Sequence, residues 1–231
     1  MDQKLFTLLH TVGCILLLVF AFLIICPVAI VLRNFSGHCI IGASVESITV
    51  TNLTVVQDNV SAHSKCTYPE FMGFAVLFFS VVYIVWNTIL IVNSWQSPGK
   101  ETFIGGIAAA IISFMLLVSS CIMSSGIARF CGELEDFGRS CEEVNNQPTK
   151  WMSYLNKDGQ MVAYTTSKNF YSLLRITEAG SWLAFFTMLL VMIVHIIKLK
   201  TTPSGMEFMQ SLQPESARII GSDTPKRYDQ I

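Results

Sequence analysis

Residues Phe71–Val92 read FMGFAVLFFSVVYIVWNTILIV. No charge interrupts these 22 residues, and no polar stripe recurs at helical spacing. A helix in a water-soluble core keeps one polar face for solvent. A membrane span instead needs about 20 mostly apolar residues with few charges. The stretch therefore predicts a helix that crosses a bilayer. Three further runs meet the same test: Leu5–Leu32 is charge-free over 28 residues, Phe103–Ala128 over 26 and Ala179–Ile197 over 19. The last has an apolar lead-in, Phe170–Leu174, separated from it by Arg175 and Glu178. At 1.5 Å per residue the first helix would be about 42 Å long, so it must tilt or project beyond the lipid. It is also about twice the length of a signal-peptide apolar core, and a retained helix is expected.

Composition agrees. Hydrophobic residues make up 52% of the 231 and charged residues 13%, against about 25% charged in a typical soluble domain. A formal net charge of −1 gives no basic field for nucleic acid. The partner that composition implies is the lipid bilayer.

The expected fold is an all-α membrane protein with four transmembrane helices and a small disulfide-stapled, partly β extracytosolic region. Its membrane domain spans residues 1–200, with helices near 5–32, 71–92, 103–128 and 172–197. Loops 33–70 and 129–171 share one side, and a disordered cytosolic tail occupies 201–231.

Raw counts of basic residues do not decide the orientation, seven on one side and eight on the other, and the denser bases on the side of Lys198 and Lys200 support a cytosolic face there only mildly. The first loop decides it. Asn34-Phe35-Ser36, Asn52-Leu53-Thr54 and Asn59-Val60-Ser61 match the N-glycosylation acceptor pattern, and no other loop contains one. Asn34 lies close to the end of the first helix, so Asn52 and Asn59 are the better acceptors. Cysteines point the same way. Cys14, Cys26 and Cys121 fall inside apolar runs, while Cys39 and Cys66 lie in the first loop and Cys131 and Cys141 in the second. Disulfides persist in oxidising compartments. Four cysteines allow three connectivities, of which pairing within each loop is the expectation. The loops are then lumenal or extracellular and both termini cytosolic, in the secretory pathway or plasma membrane.

In the first loop, SVESITVTNLTV (Ser44–Val55) alternates and is rich in β-branched residues, which favours a short antiparallel strand pair. The second loop carries Phe130, Phe137, Trp151, Tyr154, Tyr164, Phe170 and Tyr171. A disordered segment would be poor in aromatics, so this loop is expected to fold back onto the first or to anchor at the membrane boundary.

In the third helix Gly105, Ala109 and Ser113 recur every four residues, as do Gly106 and Ala110, with Ser120 and Ser124 further along. Small residues let helix backbones approach closely in lipid. This helix is expected at the centre of the bundle, and the same stripe could serve a homodimer. The polar residues inside the apolar runs are His10, Asn87 and His195. The two histidines are expected near helix ends, in reach of water, and Asn87 to hydrogen-bond another helix.

No zinc-protease, nucleophile-elbow or redox Cys-x-x-Cys motif occurs. No catalytic, metal-binding or cofactor-binding residue is assigned and no enzyme activity is expected. The tail ends in Tyr228-Asp229-Gln230-Ile231. Tyr228 and Ile231 resemble a tyrosine-based sorting signal, and the apolar C-terminus more weakly a PDZ-domain ligand.

Among four-pass families, tetraspanins carry Cys-Cys-Gly in the second loop, where this chain has Phe130-Cys131-Gly132. Claudins carry a Trp in the first loop, and this loop has none. The chain resembles the transmembrane protein 179 family at FSGHCII (Phe35–Ile41), NLTV (Asn52–Val55), Cys66, FCGELEDFGRSCEE (Phe130–Glu143) and the helix spacing, over nearly the whole length to Lys200. The resemblance implies a four-pass membrane glycoprotein with lumenal cysteines and brings no catalytic residues. The expected function is a non-enzymatic accessory, adhesion or assembly subunit of another membrane protein. The alternatives are a pore or transporter subunit, which would line a helix with charges, and a lipid-modifying enzyme, which would cluster His, Asp or Glu at a membrane edge.

Overall fold

The computed structural model describes residues 3–35, 39–41, 44–48, 52–56, 61–93, 99–146, 150–155, 160–164, 169–201 and 203–211. In chain order these form α1 (Gln3–Asn34), β1 (Ser44–Ile48), β2 (Asn52–Val56), α2 (Ser61–Asn93), α3 (Gly99–Asp136), α4 (Cys141–Asn146), β3 (Lys150–Leu155), β4 (Gln160–Tyr164), α5 (Phe170–Thr201) and α6 (Pro203–Ser211). Helices α1, α2, α3 and α5 are long and apolar enough to cross a membrane, and the protein is an integral membrane protein.

The four long helices close into a ring. Helix α1 packs on α2 and α5, α5 packs on α3, and a looser α2–α3 pairing completes the circle. The expectation that α3 is the central helix is corrected, since a four-helix ring has no central member. Leu17, Ala21 and Ile24 of α1 meet Met72 and Val76 of α2, Ala109 and Leu116 of α3, and Ala184 and Met188 of α5 in the mid-bundle core. Outside, large apolar residues such as Phe78, Ile111, Phe114 and Leu190 are exposed, the reverse of a water-soluble surface and the form a lipid-facing belt takes. Several hydroxyls inside the spans bond back to their own helices. Ser80 Oγ donates to the Val76 carbonyl at 2.7 Å and Ser120 Oγ to that of Leu116 at 2.9 Å, which satisfies them where no water is at hand.

Each long helix exceeds its apolar run. Helix α3 has 38 residues, about 57 Å at 1.5 Å per residue, against a hydrocarbon core of about 30 Å. The charge-free window captures only the lipid-embedded part. Cys66 and Cys131, expected in loops, therefore lie on polar extensions of α2 and α3.

Those extensions are tied to the chain that follows or precedes them. Cys39 pairs with Cys66 and Cys131 with Cys141, with Cα–Cα distances of 5.7 and 5.4 Å. Residues Cys39-Ile40-Ile41 turn into the bundle and join a second core with Val31, Met123, Ile127 and Leu134. Phe170 is fully buried there, edge-on to Phe35 and Phe130 at centroid distances of 6.4 and 6.2 Å. Two of the second-loop aromatics are thus core residues of helix ends. Phe137 is exposed, and no side-chain account covers Trp151, Tyr154 or Tyr164.

Helix α3 stops at a left-handed glycine, Gly138, with φ 76°. The Arg139 amide donates to the Leu134 carbonyl at 3.1 Å and that of Gly138 to Glu135 at 2.8 Å, the pairing of a Schellman C-cap. One residue later Ser140 starts α4, its Oγ accepting from the Glu143 amide at 3.2 Å, as an N-cap does. Asn145 then accepts the Tyr171 amide at 3.0 Å and donates to Ser172 Oγ at 3.3 Å. The short helix thereby caps the start of α5.

The strands form one sheet in the order β1-β2-β3-β4. β1–β2 and β3–β4 are antiparallel hairpins, with a register shift between Val45 and Ser47, and β2 runs parallel to β3. The parallel contact pairs Leu53 with Trp151 and Val55 with Ser153, so both loops contribute to one sheet.

The tail departs from expectation at its start. Helix α6 folds back against α3 and α5, with Phe208 at 5.4 Å from the Phe103 ring. Gly205 lies against the Leu199 backbone, where a Cβ would collide. Composition suggested disorder from 201 because the segment is polar and interrupted, yet one aromatic and one glycine suffice to dock it. Tyr228 and Ile231 lie outside the described residues.

Candidate functional site

His10 stands near the start of α1, Asn87 near the end of α2, Thr102 near the start of α3 and His195 near the end of α5. The ring alternates direction, so these four positions meet at one end of the bundle, opposite the disulfides. All four side chains are buried. The expectation that the histidines meet water is thereby corrected, since each is closed in by neighbouring helices.

The Asn87 Nδ2 donates to His10 Nδ1 at 2.7 Å. An amide nitrogen can only donate, so Nδ1 is the acceptor and the neutral ring carries its proton on Nε2. The Cys14 thiol approaches the same Nδ1 at 3.8 Å. His195 is oriented the other way, its Nδ1 donating to the Val191 carbonyl at 2.9 Å. The His10 and His195 rings lie edge to face with centroids 4.6 Å apart, and Tyr83 stands 5.2 Å from His10 and 5.9 Å from His195.

Gly105 makes this convergence feasible. A Cβ there would strike the Tyr83 hydroxyl and come within 2.7 Å of His195 Nε2. Within the small-residue stripe, Gly105, Ala109 and Ser113 are buried, Gly106 is half-buried against His195, and Ala110 is exposed. Ala110 therefore does not serve packing inside the bundle. Further along α3, Ser124 Oγ accepts from Trp182 Nε1 of α5 at 3.0 Å.

Beside the polar cluster the loose α2–α3 pairing leaves a cavity of about 560 Å³, within the range of small-molecule sites. His10, Asn87, His195, Glu101, Thr102 and Lys198 supply its polar lining. Glu101, Thr102 and Lys198 escaped sequence reading as site residues because they sit at helix ends, where charge and hydroxyl look like ordinary boundary residues, and Tyr83 because it lies inside an apolar run, where it reads as one more aromatic. Among the described residues no group of three or more His, Cys, Asp and Glu is disposed to hold a metal ion.

Cys14, His10 and Asn87 superficially resemble a cysteine-nucleophile constellation, but the geometry does not fit one. The thiol and the amide engage the same imidazole nitrogen, whereas a relay needs the base and its orienting partner on opposite nitrogens. Cys14 is also fully buried.

The model of the transmembrane protein 179/179B claudin domain matches residues 6–220. The chain belongs to this family. The match covers the four spans, both disulfides and the cavity-lining residues alike. The resemblance read from Phe35–Ile41 and Phe130–Glu143 is thus shown. The claudin comparison made on a first-loop tryptophan is corrected: the family's domain is described as a claudin domain although that residue is absent here. A single loop residue is a poor test of a fold whose core is set by helix packing. No solved structure matches the chain.

Proposed function

We propose that this four-span claudin-domain protein is a non-enzymatic accessory, adhesion or assembly subunit that recognises another membrane protein. It resides in the secretory pathway or plasma membrane with both termini cytosolic, its disulfide-bearing face extracytosolic and glycosylated. The observation that carries this reading is the composite sheet. Strands β1 and β4 each have one neighbour among the described strands. Open sheet edges pair readily with strands of another chain. The Cys39–Cys66 bond closes the base of the loop that carries β1 and β2, and Cys131–Cys141 ties α4 to the end of α3 ahead of β3.

The test is crosslinking of the full-length protein in cells through a photoreactive residue at Ser44 of β1, followed by mild-detergent purification. The expected result is one dominant crosslinked membrane protein, another protein or a second copy, lost when Ser47→Pro disrupts the β1 edge. Unchanged crosslinking in Ser47→Pro, with its disulfides intact, would remove the sheet edge from the mechanism.

One observation favours a second reading. His10, His195 and Glu101 gather at one membrane edge, the clustering a lipid-modifying enzyme would need. The shared use of His10 Nδ1 by Asn87 and Cys14 supports binding over catalysis at that place.

A further inference from the structure

The cavity between α2 and α3 has an unusual inventory of unmet hydrogen bonds. His10 is 7% exposed and its Nε2 has no partner. Because Asn87 occupies Nδ1, that Nε2 is an N–H donor. Glu101 Oε2 is a buried acceptor, also without a partner. Leaving such groups unmatched is unfavourable, so both positions favour a ligand that offers an acceptor and a donor.

The remaining walls define the rest of that ligand. Val81, Val85 and Ile104 line the cavity and are themselves exposed on the outer, lipid-facing surface. The opening therefore faces the bilayer, and an apolar body can lie between α2 and α3. At the polar end Glu101 and Lys198 act on one another electrostatically. A phosphate or carboxylate head would be drawn to Lys198 and repelled by Glu101, and an ammonium head would meet the reverse. An uncharged head avoids both.

We propose that this cavity binds a lipid alcohol, its hydroxyl accepting from His10 Nε2 and donating into the Glu101 side of the lining. A sterol and a monoacylglycerol share that chemistry. Binding here is independent of the sheet edges and of any partner protein.

The experiment uses the full-length protein in phosphatidylcholine nanodiscs with three photoreactive probes: a sterol, a monoacylglycerol and a fatty acid. Crosslinked peptides are mapped by mass spectrometry. One or both alcohol probes should label residues 81–90 and 101–104, and excess unlabelled alcohol should suppress that labelling. The stronger of the two identifies the source. His10→Phe keeps the ring and removes the donor, and should lower labelling roughly 2- to 10-fold, the range of one lost hydrogen bond. Val194→Phe, which fills the cavity from α5 without replacing a polar side chain, should lower it as well. Ile111→Ala on the lipid-facing surface should not. Strongest labelling by the fatty acid would overturn the proposal. So would wild-type labelling spread without competition over Phe114 and Leu190, or full labelling retained in both folded cavity variants.

Discussion

His10 and Asn87 are 77 residues apart and share a buried hydrogen bond of 2.7 Å. It joins the first turns of α1 to the last turns of α2 at the end of the bundle that carries no disulfide. In a bilayer each partner has few alternatives, although measured interhelical hydrogen bonds average only about 0.6 kcal/mol.

Replacing Asn87 with Leu should destabilise the protein by about 1 kcal/mol, because His10 Nδ1 loses its donor while staying buried. The His10→Phe, Asn87→Leu double variant should cost less than the two singles added together. Denaturant unfolding in mixed micelles measures the cycle. Strict additivity would mean that the bond contributes nothing beyond packing.

Gly126 and Gly132 lie on one helix and should respond oppositely to alanine. A Cβ at Gly126 would collide with the Ile41 side chain, whereas nothing lies within 4 Å of one at Gly132. Gly126→Ala should cost about 1–3 kcal/mol through overpacking. Gly132→Ala should stabilise by about 0.5–1 kcal/mol, since glycine inside a helix is unfavourable. Thermal unfolding of the two variants in one detergent reads both signs.

Loss of the Cys39–Cys66 bond should harm folding more than loss of Cys131–Cys141. The sequence separations are 27 and 10, and the chain-entropy relation gives about 3.5 kcal/mol for the longer loop against about 2.7 for the shorter. Surface expression of Cys39→Ser should fall below that of Cys141→Ser. Alkylation with mass mapping of native protein should find the four thiols blocked, and free thiols there would refute the pairing.

Glycans should sit on the first loop. Asn34 is exposed at the end of α1, close to the membrane; Asn52 belongs to β2, and Asn59 lies outside the described residues. Peptide N-glycosidase should increase gel mobility of the wild type, and an Asn52→Gln, Asn59→Gln variant should lose most of that shift. A shift gained only after moving an acceptor site into residues 93–102 would reverse the topology.

The four spans were legible because membrane insertion is read locally: a charge-free run in lipid has no cheaper state than a helix. The second-loop disulfide was legible for a related reason, since Cys131 and Cys141 are joined by a short segment. Helix ends were not. The extensions that carry Cys66 and Cys131 are polar, and only their packing against Ile41, Phe35 and Phe170 makes them continuous with the spans.

Charge-free runs alone set four bilayer crossings and which loops share a face, and the stripe of small residues alone lets α3 approach its neighbours. Length, charge and side-chain size along one segment suffice for that. Which side of each helix faces inward is settled by packing, because segments that are apolar all round carry no stripe to orient them. Rotation about the helix axes buried Gly105 and left Ala110 outside. It also brought His10, Asn87, Tyr83, Glu101 and His195, drawn from four helices, to the end where α2 and α3 part. His10, Asn87 and His195 stood out in sequence as polar residues inside apolar runs, but nothing along the chain showed that they meet. Their chemistry comes from the antiparallel order of the ring, which places helix starts beside helix ends and gathers these groups around one cavity.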